Sequence, residues 1–445
     1  MTAPAPAPTG PADNDPTDAW IDAALQLGAP PEDAPALPAH LPWGLLRALP
    51  KTDLHVHLDG SLREQTLIEL AAERGLPLPS QTVEGLNALV FKRSYNNLEE
   101  YLHGFGLTCA VLQDAEALER AAYELGLDNI ADGVLYAEVR FAPQLHMHGS
   151  FGFDEVLRAV DRGLRRAAAE HAASPAVAQG GLPAFRYGIV VCALRYFSGA
   201  FSRWYASLCG LFRDARDTEV FRLASLELAR AAVRCRDEHA VPIVGLDLAG
   251  REDGYPAQAH REAFAHAHRH FLKKTVHAGE AYGPESIFSA ITALYADRLG
   301  HGYHLFSPEA CGPEISDPDE YVAQLAEFVA DRRITVEVCI TSNLQTNPKI
   351  ERVEDHVFGR MLREKLSATL CTDNRLVSHT SVTREFALAV AAFGMDQKAV
   401  RETVTYGFKR SFYPGPYLEK RAWVRDLLRH FDRVLARFNA AQLGA

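Results

Sequence analysis

The chain has 445 residues, enough for two or three average domains or for one large α/β barrel with insertions. Its 47% hydrophobic and 23% charged residues are ordinary for a globular protein. A formal net charge of −11 excludes a broad phosphate-binding surface, which needs clustered Lys and Arg, so the expected partner is a small molecule and not nucleic acid.

No run approaches the roughly 18 apolar residues of a spanning helix, and no Lys or Arg precedes Arg47, unlike the basic start of a signal peptide. The expectation is a cytoplasmic protein with no membrane partner. Seven cysteines, scattered from Cys109 to Cys371 without C-x-x-C spacing, read as reduced thiols and not as a disulfide framework.

Residues 1–40 are rich in Pro, Ala and Asp, including the run Ala3 to Pro8, and are expected to form a flexible tail ahead of a single domain over 41–445. Within the tail, Asp18 to Leu27 can form a short amphipathic helix, with Trp20 either anchoring it on the body or standing in solvent. The stretch Asp53 to Gly60 (DLHVHLDG) follows and reads as a first strand. Alternation puts His55 and His57 on one face and Leu54, Val56 and Leu58 on the other. Two imidazoles can chelate zinc but fill only half of a tetrahedral shell, so this pair alone is equally an ordinary polar strand face.

A helical insertion is expected from Leu62 to about Ile130, where Leu98, Tyr101, Leu102 and Phe105 share one apolar face that is either core or the wall of a pocket. Seven further strand-like runs then alternate with helical segments: Val134–Ala142, Arg186–Arg195, Pro242–Gly250, Lys274–Glu280, Arg298–Leu305, Thr335–Ser342 and Ala368–Asn374. Eight such units predict a (β/α)₈ TIM barrel with its active site at the carboxyl ends of the strands. An open doubly wound sheet has the same alternation. The placement of His277, Glu280, His301, Ser342, Asp373 and Asn374 at or near one mouth favours the barrel. Ala172–Phe185 and Gly312–Glu320 have loop chemistry, the histidines of His260–His270 read as a solvated helix face, and Leu418–Gln442 reads as a closing amphipathic helix.

His277 can add a third imidazole to the opening pair and Asp373 a carboxylate, around one zinc per chain with room for a water whose pKa falls to about 7. Lys273 and Lys274 lie at the wrong end of their strand to bridge two metals. Glu280 would sit beside the metal without binding it, placed to pass a proton. His301 could accept the hydroxide's hydrogen bond and hold it for attack.

On these residues the chain resembles the adenosine deaminase family of the amidohydrolase superfamily, from about Leu45 to about Pro414. The resemblance is carried by Leu54–Ser61, Glu138–Pro143, Asp247–Gly250, His277–Glu280, Asp297–Gly302, Thr341–Thr346 and Thr372–Asn374. It implies that His55, His57, His277 and Asp373 hold zinc, that Glu280 protonates purine N1, and that His301 orients the hydroxide adding to C6. His57 would also face the substrate. Gly250 would offer its N–H to N3, Asp59 would accept from the ribose 5′-hydroxyl, and Asn374, where many relatives carry aspartate, would donate its amide to N7. Arg375 replaces a common proline, and would contact a sugar substituent or face solvent.

The implied reaction converts adenosine or 2′-deoxyadenosine to the 6-oxopurine nucleoside and ammonia. Another 6-aminopurine (adenine, adenosine monophosphate, aminodeoxyfutalosine) remains an alternative substrate, and a non-catalytic metal-binding barrel is the reading from another class. A cytidine-type site is excluded: the H-x-E at His260–Glu262 has no P-C-x-x-C to complete it.

Overall fold

Strands buried on both faces read as continuous apolar runs, and here those runs build a parallel barrel. The computed structural model describes residues 16–26, 29–96, 98–347 and 349–443. Its strands are β1 (Lys51–His57), β2 (Val134–Phe141), β3 (Arg186–Leu194), β4 (Ile243–Ala249), β5 (Lys273–Ala278), β6 (Arg298–His301), β7 (Thr335–Val338) and β8 (Ala368–Leu370). They lie side by side in chain order, each parallel to the next. A bridge between Val56 and Asp373 brings the end of the eighth unit to β1. There, Asp373 N–H donates to the His55 carbonyl at 2.7 Å, and His57 N–H donates to the Asp373 carbonyl at 2.7 Å. The predicted TIM barrel is therefore the observed fold.

Each expected run overlaps one strand, and the last three strands fall furthest short of their expected ends. β6 ends at His301, because His301 (φ 62°) and Gly302 (φ 57°) are left-handed and break the ladder. β7 ends at Val338, and Ile340–Thr346 is helical. β8 stops at Leu370, and Asp373 (φ 60°) again turns the chain. A left-handed non-glycine residue costs about 1–3 kcal/mol and persists only where its surroundings hold it. At Asp373 the two hydrogen bonds to β1 do so.

The insertion after β1 is four helices, Glu64–Glu73, Val83–Leu89, Leu98–Val111 and Ala115–Ala131. The run Ala3 to Pro8 lies outside the described residues, as does Leu27. Pro16–Gln26 is a helix held on the body: Ile21 is fully buried, Trp20 rests against Gly181, and Asp18 and Asp22 pair with Arg433 and Arg437 at 2.8 and 2.6 Å. Trp20 is thus an anchor. Those arginines belong to the C-terminal helix Tyr417–Leu443, which packs Leu427, Phe431 and Val434 inward.

The helix Phe153–Ala173 runs two residues into the first expected loop, Pro175–Ala178 is a further helix within it, and the helix Pro318–Asp331 takes the end of the second. The histidine-rich segment is solvated at His268 and His270, but His260 departs from that reading. It is buried, with its Nδ1 3.1 Å from Ser225 Oγ. No helix among the described residues is long and apolar enough to cross a membrane.

Inside the barrel lies a charged layer. Arg140 bonds Asp247 at 2.9 Å and Glu337 at 2.8 Å, while Arg298 bonds Glu337 at 2.6 Å and forks onto Glu138. All five side chains are at most 1% exposed. Such charges persist in low dielectric only when every one is paired.

Candidate active site

β1, β5, the turn after β8 and the end of β6 deliver their side chains to one point at the carboxyl end of the barrel. His55 Nε2 lies 3.1 Å from His277 Nε2 and 3.4 Å from Asp373 Oδ1. His57 Nε2 lies 3.3 Å from His277 Nε2 and 3.4 Å from Asp373 Oδ1. The far nitrogens define the tautomers. His55 Nδ1 donates to Glu337 Oε2 at 2.9 Å, and His277 Nδ1 donates to Asp247 Oδ2 at 3.0 Å. Both Nε2 atoms therefore present lone pairs to each other, and bare lone pairs at 3.1 Å repel unless a cation lies between them.

A tetrahedral shell at roughly 2.0–2.1 Å sets its donors about 3.3 Å apart. The three imidazoles and the carboxylate thus fit one divalent transition metal. Asp373 is aimed by Ser342 Oγ, which donates to its Oδ2 at 2.7 Å, so Oδ1 faces the histidines. Lys274 is turned away at the start of β5, bonded to Asp297 at 2.8 Å.

Beside this set, Glu280 Oε1 stands 3.7 Å from His301 Nε2. Burial is the main cause that pushes the Glu280 carboxyl up to about 8, with Asp373 and Glu252 acting in the same direction. Glu252 accepts the backbone N–H groups of Gly279, Glu280, Ala281 and Tyr282 at 2.8–3.1 Å and clamps the turn that carries Glu280. Arg195 donates to the His277 carbonyl at 2.7 Å. Neither role is legible in a linear pattern, since the donors and acceptors are 27 to 82 residues apart.

A cavity of about 1260 Å3 opens over the site and is lined by His57, Asp59, Gly250, His277, Glu280, His301, Asp373 and Asn374. Of the sequence-chosen residues, His55, Ser342 and Arg375 are not part of its wall. The helix Leu98–Val111 contributes Tyr101, Leu102 and Phe105 to the lining, which resolves that apolar face as pocket wall; the Leu98 side chain lies outside the described residues. Across the cavity stands the helix Arg203–Leu211 with the loop before it, which the sequence reading did not single out.

Asp59 is buried, which pushes its carboxyl up to about 7, and its Oδ1 has no hydrogen-bond partner. Asn374 donates to Tyr101 Oη at 2.7 Å, which leaves its second amide N–H for a ligand, while its Oδ1 has no partner. Arg375 does neither thing expected of it: its side chain is 14% exposed and turns to Asp132 at 3.9 Å and Asn129 at 3.5 Å.

A parallel (β/α)₈ barrel that gathers three imidazoles, a carboxylate and a further buried carboxyl group at its strand ends has the features of a hydrolase that works on small molecules with a metal cofactor. The family profile described as adenosine deaminase matches residues 50–428, and the chain belongs to that family. It is 37% identical over 369 residues to an adenosine deaminase of Mycobacterium marinum, covering 82% of this chain and 91% of that protein. It is 35% identical over 386 residues to adenosine deaminase 1 of Streptomyces coelicolor, covering 86% of this chain and 87% of that protein. Among solved structures, a zinc-bound amidohydrolase from Burkholderia ambifaria shares the fold with a TM-score of 0.70 at 20% identity, covering 93% of this chain and 100% of the other. The adenine deaminase of Arthrobacter aurescens does so with a TM-score of 0.64 at 19% identity, covering 85% and 98%.

Proposed function

We propose that this protein hydrolyses adenosine and 2′-deoxyadenosine to inosine and 2′-deoxyinosine with release of ammonia, using one zinc per chain held by His55, His57, His277 and Asp373. The observation that supports this reading is the buried Glu280 carboxyl 3.7 Å from the buried His301, in one cavity with His57, His277 and Asp373. A mere metal-binding barrel has no need of that pair. When bound, zinc supplies a water acidic enough to be nucleophilic at neutral pH. Glu280 gives a proton to purine N1 as the water's oxygen adds to C6; of the water's two protons one restores Glu280 and the other passes through Glu280 to the amine, so that the C6–N bond breaks with loss of ammonia as the C6–O double bond of the 6-oxopurine forms. Gly250, at the end of β4 with φ 88°, serves N3, and Asn374 serves N7.

The curated relatives are named for adenosine, and Asp59 supports a nucleoside over a nucleotide. Among the described residues, the imidazoles nearest to it are His57 and His146, each at 4.0 Å, His146 being held neutral by burial, and no Lys or Arg pairs with Asp59 to offset the charge of a 5′-phosphate placed against it. The deciding experiment follows the ultraviolet spectrum of zinc-replete protein with adenosine, 2′-deoxyadenosine, adenine and adenosine monophosphate. Conversion of the two nucleosides alone is expected. Conversion of the monophosphate at an equal rate would remove Asp59 as the reader of a free hydroxyl.

The protonation of Glu280 gives a second expectation. Its acid form is present below about pH 8 and lost above it, and a divalent cation beside it lowers that limit. Turnover should therefore fall on the alkaline side at or below about pH 8, and a rate that stays flat to pH 9.5 would refute the assignment.

A further inference from the structure

We propose that His356 and Asn343 form a relay that fixes His301 as its Nε2–H tautomer, so that His301 donates a hydrogen bond to the attacking water oxygen; this rests on the deaminase reading above. The direction of each bond follows from one unambiguous donor. Phe358 N–H donates to His356 Nδ1 at 3.1 Å, so that nitrogen is bare and the proton of the neutral ring is on Nε2. Burial holds this imidazole down to about 3, which keeps it neutral at pH 7.

His356 Nε2–H faces Asn343 Oδ1 at 3.1 Å, and the amide must then turn its NH2 to His301 Nδ1, 3.2 Å away. The orientation of the amide is thereby set by the chain of donors. His301 Nδ1 accepts, and its single proton lies on Nε2, the atom that faces Glu280. All three side chains are at most 2% exposed, so bulk water cannot replace a missing partner.

The consequence reverses the role expected from the sequence, in which His301 accepts. With Nε2 already protonated, His301 cannot take the water's proton, and it orients the oxygen through a lone pair instead. Proton traffic is left to Glu280. His356 and Asn343 touch no substrate and act as positioning residues. Neither is adjacent in sequence to His301, which lies 42 residues before Asn343, and Asn343 lies 13 before His356.

The tautomer can be read directly in zinc-loaded protein labelled with 15N-histidine, with the His301 signals assigned by their loss in His301→Gln. Wild type should show a protonated Nε2 and a bare Nδ1 at His301. In Asn343→Asp, whose carboxylate only accepts, the proton should move to Nδ1. A wild-type His301 protonated on Nδ1 overturns the relay, whatever substrate the enzyme takes.

Turnover of adenosine by wild type tests the deaminase reading separately. Given that turnover, Asn343→Asp should lose about 100-fold in kcat with zinc content and KM within about twofold. His356→Gln, whose amide can still donate to Asn343, should stay within about fivefold of wild type, whereas His356→Phe should fall toward the Asn343→Asp level. The His356 pair stands even if Asn343→Asp does not fold. Normal kcat in Asn343→Asp, or equal losses in the two His356 variants, would overturn the proposal.

Discussion

Glu280→Gln should keep its zinc and lose between about 10²- and 10⁴-fold in kcat, the range that a positioned proton donor supplies. The proposed donor set is His55, His57, His277 and Asp373, without Glu280, so metal content measured by atomic absorption should be unchanged. The amide has nearly the shape of the carboxylic acid and can donate a hydrogen bond to N1. It cannot release the proton. Binding of substrate should therefore suffer far less than turnover, and the alkaline limb assigned to Glu280 should vanish from what activity remains. Near-normal kcat in a zinc-loaded variant would take Glu280 out of the mechanism. Loss of zinc would instead show that the Glu280 carboxyl itself supports the metal site.

Arg298→Met should destabilise the fold by about 3–5 kcal/mol, because it leaves buried carboxylates without their counter-charge. Arg298 bonds both Glu138 and Glu337, and neither carboxylate is reached by solvent. Glu337 also accepts from His55 Nδ1 at 2.9 Å, Thr275 Oγ1 at 2.9 Å and Arg140 at 2.8 Å. Glu138 has fewer substitutes. Denaturant unfolding of the single variant and of Arg298→Met with Glu138→Gln tests the cause. The double variant should recover part of the loss, since an amide carries no charge to strand in the interior. A single variant within about 1 kcal/mol of wild type would show that the layer contributes little beyond volume. Because Glu337 orients a metal-facing histidine, the variant should also lower metal affinity at a given temperature.

The connection between these two experiments is geometric. The charged layer lies below the histidines in the same barrel, and Arg140, Asp247 and Glu337 join one to the other. A site whose imidazoles must stand with lone pairs face to face needs rigid acceptors behind them. The barrel interior provides these as strand residues, with no loop involved.

Local chemistry determined much of this protein in advance. Two-residue spacing in β1 was enough to place His55 and His57 on one side, because the pleat has a period of two. β-branched and apolar runs between helical segments located all eight strands, and the polar residues ending those runs marked the mouth of the barrel. Tertiary structure alone decided the rest. The early ends of β6 and β8 depend on left-handed residues that no hydrophobic period reports, at His301 and Asp373. Arg375 had two plausible destinations by sequence and took a third, beside Asp132 and Asn129, more than 240 residues earlier. Trp20 became an anchor only because Gly181 leaves room for its ring. The tautomers of His55, His277 and His301 rest on Glu337, Asp247 and Asn343, each brought in from a different strand or helix. Side-chain periodicity records which face a residue takes along its own element, whereas the partner that aims it is chosen by how the elements pack.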